Sequence, residues 1–316
     1  MLAGISSLAL YAAIPSAFAA DMALKTKAPP PPPPPTPAVT TWWFEGGASN
    51  MSGDPFVLGF NNPPFDVDAK RWGWQGAIGV DYKFASSPWH VSADFRYMGN
   101  GSQSAGGPET AIFTRGGAAV GTNTASRSEH NWEADFMVGR DLGIGSPAQA
   151  KFGLRVADIW GQTNGIVSGF TFAPSGVQTR NYQQTDKFLG AGPRLAIEGS
   201  IPLQTAWSIE YNGGVAGLWG QNSANQTVGV SGSFGGGGVT CLAGCPIAAS
   251  SGSNVFVFNA DAQAGLAYAI SQSAKLSLNY RIDGYWNALR GFNSAGAGTN
   301  LDRVYSGPTL KLTVAY

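Results

Sequence analysis

The segment Arg71–Phe84, RWGWQGAIGVDYKF, decides the fold of this chain because its residues alternate between two chemically different faces. One face carries Trp72, Trp74, Ile78, Val80, Tyr82 and Phe84. The other face carries Gln75, Ala77, Gly79, Asp81 and Lys83. A period of two is the signature of a β-strand, since successive side chains point to opposite sides of a sheet. In a soluble sandwich the charged face would point outward, whereas in a membrane barrel the apolar face meets lipid and the charged face meets the lumen.

The same alternation recurs in further segments, separated by connections of two lengths. The predicted strands lie near 41–50, 70–84, 89–99, 130–140, 149–161, 187–199, 206–219, 255–270, 275–286 and 303–316. The short connections are 85–88, 141–148, 200–205 and 271–274, and the long ones are 51–69, 100–129, 162–186, 220–254 and 287–302. An even strand number, with short turns on one rim and long loops on the other, is typical of bacterial outer-membrane barrels. The pattern predicts an all-β, transmembrane antiparallel β-barrel of about ten strands.

The positions of the first and last strands predict the orientation of the chain. The first strand leads into a long connection, and the last strand ends the sequence at Tyr316. Both termini therefore belong to the rim with the short turns. Since short turns face the periplasm in bacterial outer-membrane barrels, we expect both termini to be periplasmic.

Composition supports a barrel over other classes of protein. Charged residues make up 12% of the chain, about half of the usual share, while aromatic residues reach 12%. After the N-terminal segment the sequence has no apolar run long enough for a transmembrane helix, which argues against a helical membrane protein. The formal net charge is zero, so nothing suggests a nucleic acid as a partner.

The N-terminal part divides into a targeting segment and a spacer. Leu2–Ile14 is mostly apolar and is followed by Ala17-Phe18-Ala19, which predicts a signal peptide over 1–19; a short buried helix is the alternative. The missing positive n-region suggests that the true start lies upstream. Residues 20–40 contain the run Pro29–Pro35 and predict a periplasmic linker in polyproline II conformation, followed by the barrel over 41–316. The linker is either a contact to peptidoglycan or a passive spacer.

Aromatic residues on the apolar faces form two predicted bands. The periplasmic band comprises Trp42, Phe84, Trp89, Phe152, Trp207, Tyr268 and Tyr316. The outer band comprises Trp72, Tyr97, Trp132, Trp160, Trp219, Phe256 and Trp286. Aromatic rings settle at the headgroup boundary because part of each ring system is apolar and part can form hydrogen bonds. The expected surroundings are therefore outer-membrane lipid and lipopolysaccharide.

The opposite faces supply the candidate lumen-lining residues. They are Asp81, Lys83, Asp94, Arg96, Glu133, Asp135, Arg155, Arg194, Glu198, Glu210, Arg281 and Asp283, with His90, Lys151, Asp261, Lys275 and Lys311 on the same faces. Buried charges must pair or meet water, and an eight-stranded barrel is already filled by its side chains. We therefore expect Asp94, Glu133, Asp135 and Glu210 to pair with Arg96, Arg155, Arg194 and Arg281 in a mostly plugged interior. Whether these charges only satisfy one another or also conduct ions stays open.

Two further features concern prolines and cysteines. Pro193 and Pro308 lie inside predicted strands, where a proline removes a ladder hydrogen bond, so we expect bulges or kinks there. Cys241 and Cys245 lie in the longest outer loop, and an exported location predicts a disulfide between them. Their C-x₃-C spacing without nearby His argues against zinc. We expect neither a metal nor a cofactor.

Several segments carry a family resemblance. They are Phe152–Ile159, Gly190–Leu195, Glu198–Leu203, Trp207–Gly220 and Gly307–Leu312. These segments resemble the Legionella-type major outer membrane protein family, with a match over the barrel from about Trp42 to Tyr316. The Ala20-Asp21 start before a Pro-rich stretch also looks like outer-membrane proteins of alphaproteobacteria. The resemblance implies a pore-forming barrel in the outer membrane.

Enzyme signatures such as G-x-S-x-G, the P-loop or H-E-x-x-H do not occur, so we expect no catalysis. One rival is a ten-stranded omptin-type protease, which would use His130 with Glu129, Asp186 or Asp302 at the outer rim. The expected function is a narrow, porin-like passive pore for small solutes or ions; the alternative is a structural or surface-interaction, adhesin-like barrel with little conductance.

Overall fold

The computed structural model describes residues 37–54, 56–58, 65–67, 71–112, 118–143, 147–172, 176–203, 206–234, 247–292 and 298–316. The predicted signal peptide, almost all of the predicted linker, and Cys241 and Cys245 lie outside these residues. The linker, signal peptide and disulfide therefore stay predictions. The described residues contain no helix that is long and apolar enough to cross a membrane.

Twelve β-strands make up the described structure. They are β1 (Val39–Gly53), β2 (Phe56–Leu58), β3 (Phe65–Val67), β4 (Arg71–Lys83), β5 (Trp89–Ile112), β6 (Ala118–Asp141), β7 (Ala148–Phe172), β8 (Gly176–Pro202), β9 (Trp207–Phe234), β10 (Ile247–Ala269), β11 (Ala274–Phe292) and β12 (Gly298–Ala315). Ten of them, β1 and β4 to β12, form one closed antiparallel barrel in which each strand pairs with its neighbours in sequence and β1 pairs with both β4 and β12. The remaining two, β2 and β3, form a small separate hairpin. The predicted ten-stranded antiparallel barrel is confirmed.

Six central strands are much longer than the alternation predicts. Strands β5 to β10 contain 23 to 28 residues, whereas about 9–11 residues suffice to cross a membrane. The connections placed at 100–129, 162–186 and 220–254 are therefore largely paired strand. Their Ser, Thr, Asn and Gly residues hide the period of two, because neither face is apolar there.

The start of the first barrel strand and the end of the last one lie at the rim that carries the short turns. The backbone N–H of Thr40 donates to the carbonyl oxygen of Tyr316 at 3.1 Å, and the N–H of Tyr316 donates back to Thr40 at 2.9 Å. The N–H of Ala315 donates to Ser273, which belongs to one of these turns, at 2.8 Å. The described chain therefore begins and ends at one rim, and the assignment of that rim to the periplasm stays a prediction.

The aromatic residues of both predicted bands point outward. Examples are Trp72, 64% exposed, and Phe152, 56% exposed. Phe152 lies at the short-turn end, and Trp72 lies at the opposite end, which we call the hairpin end because the long strand pairs β5–β6, β7–β8 and β9–β10 extend from it. Rings on adjacent strands pack together, with centroid distances of 4.9 Å between Trp207 and Tyr268 and 5.0 Å between Trp219 and Phe256. The barrel therefore presents an apolar outer surface with an aromatic rim at each end.

The prediction of a bulge at each of the two prolines, Pro193 and Pro308, is wrong. The pairing of β8 with β9 keeps one register on both sides of Pro193, and the pairing of β12 with β1 does so around Pro308. Each proline only interrupts the ladder locally on the side where its N–H is missing. The register shifts occur elsewhere, between Asn100 and Gln103, between Val167 and Phe170, and between Tyr285 and Leu289.

The barrel interior is the core of this protein. Side chains of the inward faces fill it in successive levels, which can be followed along β8 from the short-turn end: Glu198, then Arg194, then Phe188, then Asp186. Glu198 is partly exposed, while the three others are buried. The levels are a vestibule, an ionic plug, an apolar layer and a second ionic cluster.

The barrel lumen as candidate functional site

The twelve lumen-lining candidates all project into the barrel, because they occupy the inward positions of seven different strands. Their outward neighbours are apolar, as with Leu195 next to Arg194 and Ile282 next to Arg281. The twelve fall into two levels. Asp81, Lys83, Glu198 and Glu210 lie toward the short-turn rim, whereas Asp94, Arg96, Glu133, Asp135, Arg155, Arg194, Arg281 and Asp283 lie deeper.

The vestibule is a cavity of about 390 Å³ at the short-turn end. At its rim, the ammonium of Lys83 donates to Asp141 at 2.6 Å. The ring nitrogens of His90 lie 2.9 Å from Asp81 and 2.8 Å from Asp141, so the imidazole is held between two carboxylates. Lys151 lies 3.0 Å from Asp81 and completes the network.

The other side of the vestibule is also neutralised by local pairs. Glu210 pairs with Lys275, and Glu198 lies 2.7 Å from Lys151. Lys311 lies over the ring of Trp43, with its ammonium 5.0 Å from the ring centroid. The vestibule is therefore polar and close to charge balance.

Arg155 is the centre of the plug, which closes the lumen above the vestibule. Its guanidinium donates to both carboxylate oxygens of Asp135 at 2.7 and 2.6 Å and lies 3.1 Å from Glu133. It also donates to Asp261 at 3.1 Å and to Asn259 at 2.7 Å, both on a distant strand. A bidentate guanidinium–carboxylate pair is a strong and geometrically specific contact.

Two other arginines extend the plug to the neighbouring strands. Arg194 pairs with Asp261 and lies 3.1 Å from Asp135. Arg281 lies 2.9 Å from Glu133 and 2.8 Å from Asp283. Glu133, Asp135 and Asp261 thus each contact arginines from more than one strand, which crosslinks the wall of the barrel.

Arg96 connects the plug to β1 through a residue that the sequence did not single out. Its guanidinium donates to Glu45 at 2.5 Å and lies 3.5 Å from Glu133. Glu45 also accepts from Gln263 at 2.8 Å. In the segment TWWFEGG, Trp42 and Phe44 face outward, so the alternation places Glu45 on the inward face. This position in the alternation was the sequence signal that could have identified Glu45. We define the plug as Arg96, Arg155, Arg194 and Arg281 with Glu45, Glu133, Asp135, Asp261 and Asp283.

Two of the four carboxylates that were expected to pair with arginine, Glu210 and Asp94, do not do so. Glu210 pairs with Lys275 rather than with an arginine. Asp94 faces Asp135 directly across the β5–β6 ladder and lines the vestibule, but within the part of the chain that the structure describes it makes no hydrogen bond or ion pair. Like charges directly opposite one another repel. Asp94 therefore belongs to the lumen wall without taking part in the arginine network.

An apolar layer lies between the plug and the hairpin end. It contains Met51, Met98, Ile159, Phe188, Leu218, Val257, Leu289, Leu301, Tyr285 and Tyr305, which are all at most 6% exposed. Tyr285 donates through its hydroxyl to Glu133 at 2.6 Å and so ties this layer to the plug. The layer left no signal in the sequence, because single apolar residues on an otherwise polar face form no pattern.

A second ionic cluster, the outer cluster, closes the interior beyond the apolar layer. Arg127 lies between Glu129, at 2.5 Å, and Asp186, at 2.7 Å. Arg303 lies 3.1 Å from Glu129, and the hydroxyl of Tyr305 donates to Glu129 at 2.8 Å. These charged groups are completely or almost completely buried. The cluster joins β6, β8 and β12.

The residues of the protease alternative are not brought together. His130 points outward and stacks against Trp160 at 4.8 Å and Tyr97 at 6.0 Å. Its chain neighbour Glu129 points into the lumen, since adjacent strand residues face opposite sides. Asp186 binds Arg127 inside the barrel. Among the described residues no group of three or more His, Cys, Asp or Glu side chains is placed to hold a metal ion.

A closed antiparallel barrel with an apolar outer surface, two aromatic rims and a charged interior defines the class of outer-membrane β-barrels. Comparison with protein-family models identifies the particular family. The model described as Legionella pneumophila major outer membrane protein precursor matches residues 47–316, and the chain belongs to this family. It is therefore an outer-membrane protein.

Comparison with solved structures matched outer-membrane proteins with different reported roles. They include the outer membrane protease OmpT from Escherichia coli, with 12% identity over 88% of this chain and 97% of that chain and a TM-score of 0.48. They also include Ail, the attachment invasion locus protein of Yersinia pestis, with 8% identity over 89% and 100% and a TM-score of 0.26. A third is the Ralstonia pickettii toluene transporter TbuX, with 10% identity over 88% and 89% and a TM-score of 0.24. The comparison with curated protein sequences found no match.

Proposed function

We propose that this protein is a structural outer-membrane barrel with a closed lumen, which displays long β-hairpins at the cell surface. The observation that carries the proposal is the plug. Its four arginines are at most 5% exposed, and they join carboxylates from strands on all sides of the lumen. An ion crossing the barrel would have to separate these pairs.

The apolar layer strengthens the case for a closed lumen. Ile159, Phe188, Leu218 and Val257 have no exposed surface, so they exclude water from the level above the plug. A hydrated ion would lose its water there without gaining a polar partner, which is costly. Two levels of different chemistry therefore oppose flow in series.

The hairpins supply the surface-exposed part of the function. The longest strand, β9, contains 28 residues and spans about 90 Å when measured along the strand. Because a tilted strand crosses the membrane with far fewer residues, a large part of β5 to β10 extends beyond it. We place this extension outside the cell, with the termini and the linker in the periplasm.

The vestibule favours a second candidate function, a narrow passive pore of small conductance. Its cavity of about 390 Å³ is polar and reaches the plug from the short-turn rim. The plug consists of side chains rather than of an inserted chain segment, and side chains can rearrange. In this alternative the arginine network is a gate that opens rarely.

We do not propose catalysis. The candidate protease residues face opposite sides of the sheet, and the carboxylates nearest to them are held in ion pairs. A nucleophile or general base must reach a substrate, which these buried pairs prevent. The proposed role rests on the shape and surface of the barrel.

Single-channel recording on purified protein in planar bilayers tests the proposal. A closed structural barrel gives no channel events or only rare, small ones. Regular small openings would support the narrow pore instead. A permanently open channel as large as that of a 16-stranded porin would contradict both candidates, because such channels require a water-filled lumen.

A further inference from the structure

On strands β5 to β10, the described outward side chains beyond the aromatic rim carry no charge, which is unusual for a solvated sheet. The nearest outward charges, Lys187 and Asp158, lie at the level of the rim and pair with each other at 3.1 Å. One row of directly paired side chains runs across five strands: Ser128, Gln162, Thr185, Asn225 and Ser250. A second row runs through Ser104, Ser126, Asn164, Gln183 and Thr227. We call these two rows the polar wall. All ten side chains are hydroxyls or carboxamides.

Beyond the rim, the charges that the structure describes on these strands lie on the inward face. Arg127, Glu129 and Asp186 of the outer cluster are buried directly behind the polar wall. Solvated protein surfaces usually contain about 25–35% charged residues, which keep them soluble. The arrangement here is reversed, with ion pairs inside and uncharged polar groups outside. This reversal suits a surface that is covered by neutral polar material rather than by bulk water.

The polar wall continues directly from the lipid-facing surface. On β7 the outward residue next to Gln162 is Trp160, and on β9 the outward residue beyond Gln221 is Trp219. Both tryptophans belong to the aromatic rim at the hairpin end. Since aromatic rims mark the headgroup boundary, the wall lies at the level just beyond the headgroups of the adjacent leaflet.

The wall also contains a groove of a size suited to a small ligand. Its volume is about 610 Å³, within the range of about 300–1,000 Å³ that is common for ligand sites. Asn164, Gln183 and Thr227 line it from three adjacent strands, together with Ile166, which is 49% exposed. Carboxamides and hydroxyls both donate and accept hydrogen bonds, as sugar hydroxyls do. An apolar side chain among them can pack against the carbon face of a sugar ring.

We propose that the polar wall binds the neutral saccharide part of lipopolysaccharide in the outer leaflet. The lack of charge matches a neutral glycan and gives no attraction to its phosphates. The regular rows offer equivalent hydrogen-bonding groups on successive strands, which suits a chain of sugar units. The inference rests on the proposed function only in placing the long hairpins at the cell exterior.

The test measures binding of a neutral, delipidated oligosaccharide of lipopolysaccharide, free of phosphate and acidic sugars, to the purified full-length barrel in detergent. The variant N164A/Q183A removes two exposed carboxamides of the wall and leaves the buried clusters untouched. We expect wild type to bind the oligosaccharide and the variant to bind about tenfold more weakly or worse, because each lost hydrogen bond costs a factor of roughly five. The matched control Q272A removes an exposed carboxamide from the short turn at the opposite end and keeps wild-type affinity.

Two results would overturn the inference. One is wild-type affinity in N164A/Q183A. The other is binding of the phosphorylated lipid part alone with no binding of the oligosaccharide, which would assign recognition to the lipid-facing surface. Neither result depends on conductance. A large channel conductance would overturn the closed lumen and leave the oligosaccharide affinity unchanged, so the two proposals fail separately.

Discussion

Arginine is the residue type that closes this lumen, because its planar guanidinium can hold carboxylates on two strands at once. Arg155 illustrates the point with its bidentate contact to Asp135 and its reach to Asp261. Lysines occur instead in the vestibule, where Lys83 and Lys275 are partly exposed and single contacts suffice. The division follows from hydration, since an ammonium binds water more strongly than a guanidinium does.

Replacing Arg155 with alanine should open and destabilise the plug. The change leaves Asp135 and Asp261 with fewer positive partners, and breaking a buried pair usually costs about 3–5 kcal/mol. We expect a lower temperature of heat-induced unfolding. In the narrow-pore alternative we also expect larger conductance in bilayers and a shift of selectivity toward cations. The reversal potential in a salt gradient measures the last effect.

The matched control is R290A. Arg290 is also inward and half-buried, but among the described residues it donates to Ser251 and Ser253 rather than to a carboxylate. Its removal should change neither selectivity nor conductance. Unchanged selectivity in R155A would show that the plug does not line the path of the ions.

At the scale of the element, the barrel keeps its register across two prolines because each follows a glycine. A Cβ at Gly192 would lie 1.8 Å from the carbonyl oxygen of Gly217, and one at Gly307 would lie 2.1 Å from that of Ala48. The partner strand therefore approaches the backbone more closely than any side chain would allow. The glycine accommodates the strand where the proline has removed a ladder hydrogen bond.

The variant G192A should therefore destabilise the barrel. Overpacking of this kind typically costs about 1–3 kcal/mol, because backbone has to move. We expect a lower unfolding temperature. It is measured by gel electrophoresis of heated samples, in which the folded and the unfolded barrel run as separate bands. In G213A the new methyl group meets its nearest neighbour at an ordinary 3.6 Å, so this variant should match wild type. Equal stability of both variants would contradict the close-approach explanation.

At the scale of the whole molecule, ring closure determines what the protein can do. Ten strands make a barrel whose interior is filled by its own side chains, while wider barrels leave an aqueous channel. The long hairpins then form the largest part that projects from the membrane. The orientation of this projection decides between surface display and a periplasmic role.

Protease added to intact cells tests the orientation. We expect cleavage within 100–129 or 220–254 and no cleavage at the Pro29–Pro35 run, because the hairpins face outward and the linker faces the periplasm. Disrupted cells serve as the control for access to the linker. Cleavage of the linker with intact hairpins in whole cells would reverse the topology.

The predicted Cys241–Cys245 disulfide closes a small ring within one connection and should not organise the barrel. Changing both residues to serine should leave two properties unchanged: the shift in gel mobility that heating causes in the folded barrel, and insertion into the outer membrane. Thiol labelling of the unreduced wild type checks that the bridge exists. Loss of the folded band in the double variant would show that this connection supports the barrel.

The sequence by itself determined the local properties of this protein. A period of two places Trp72 on the outer surface and Asp81 on the inner surface whatever the rest of the chain does, since strand geometry alone separates the faces. The contrast between short and long connections was enough to predict an antiparallel barrel with both ends at one rim. These features depend on neighbours that are close in sequence.

Only the tertiary structure decided which inward residues meet and whether the lumen is open. Arg155 and Asp261 are 106 positions apart, and Arg281 and Glu133 are 148 apart, so their contact depends on closure and register of the whole ring. The apolar layer arises in the same way, from single residues such as Ile159 and Phe188 contributed by different strands. The length of the hairpins also required the structure, because paired strands of Ser, Thr, Asn and Gln are stabilised by their neighbours and carry no apolar face of their own.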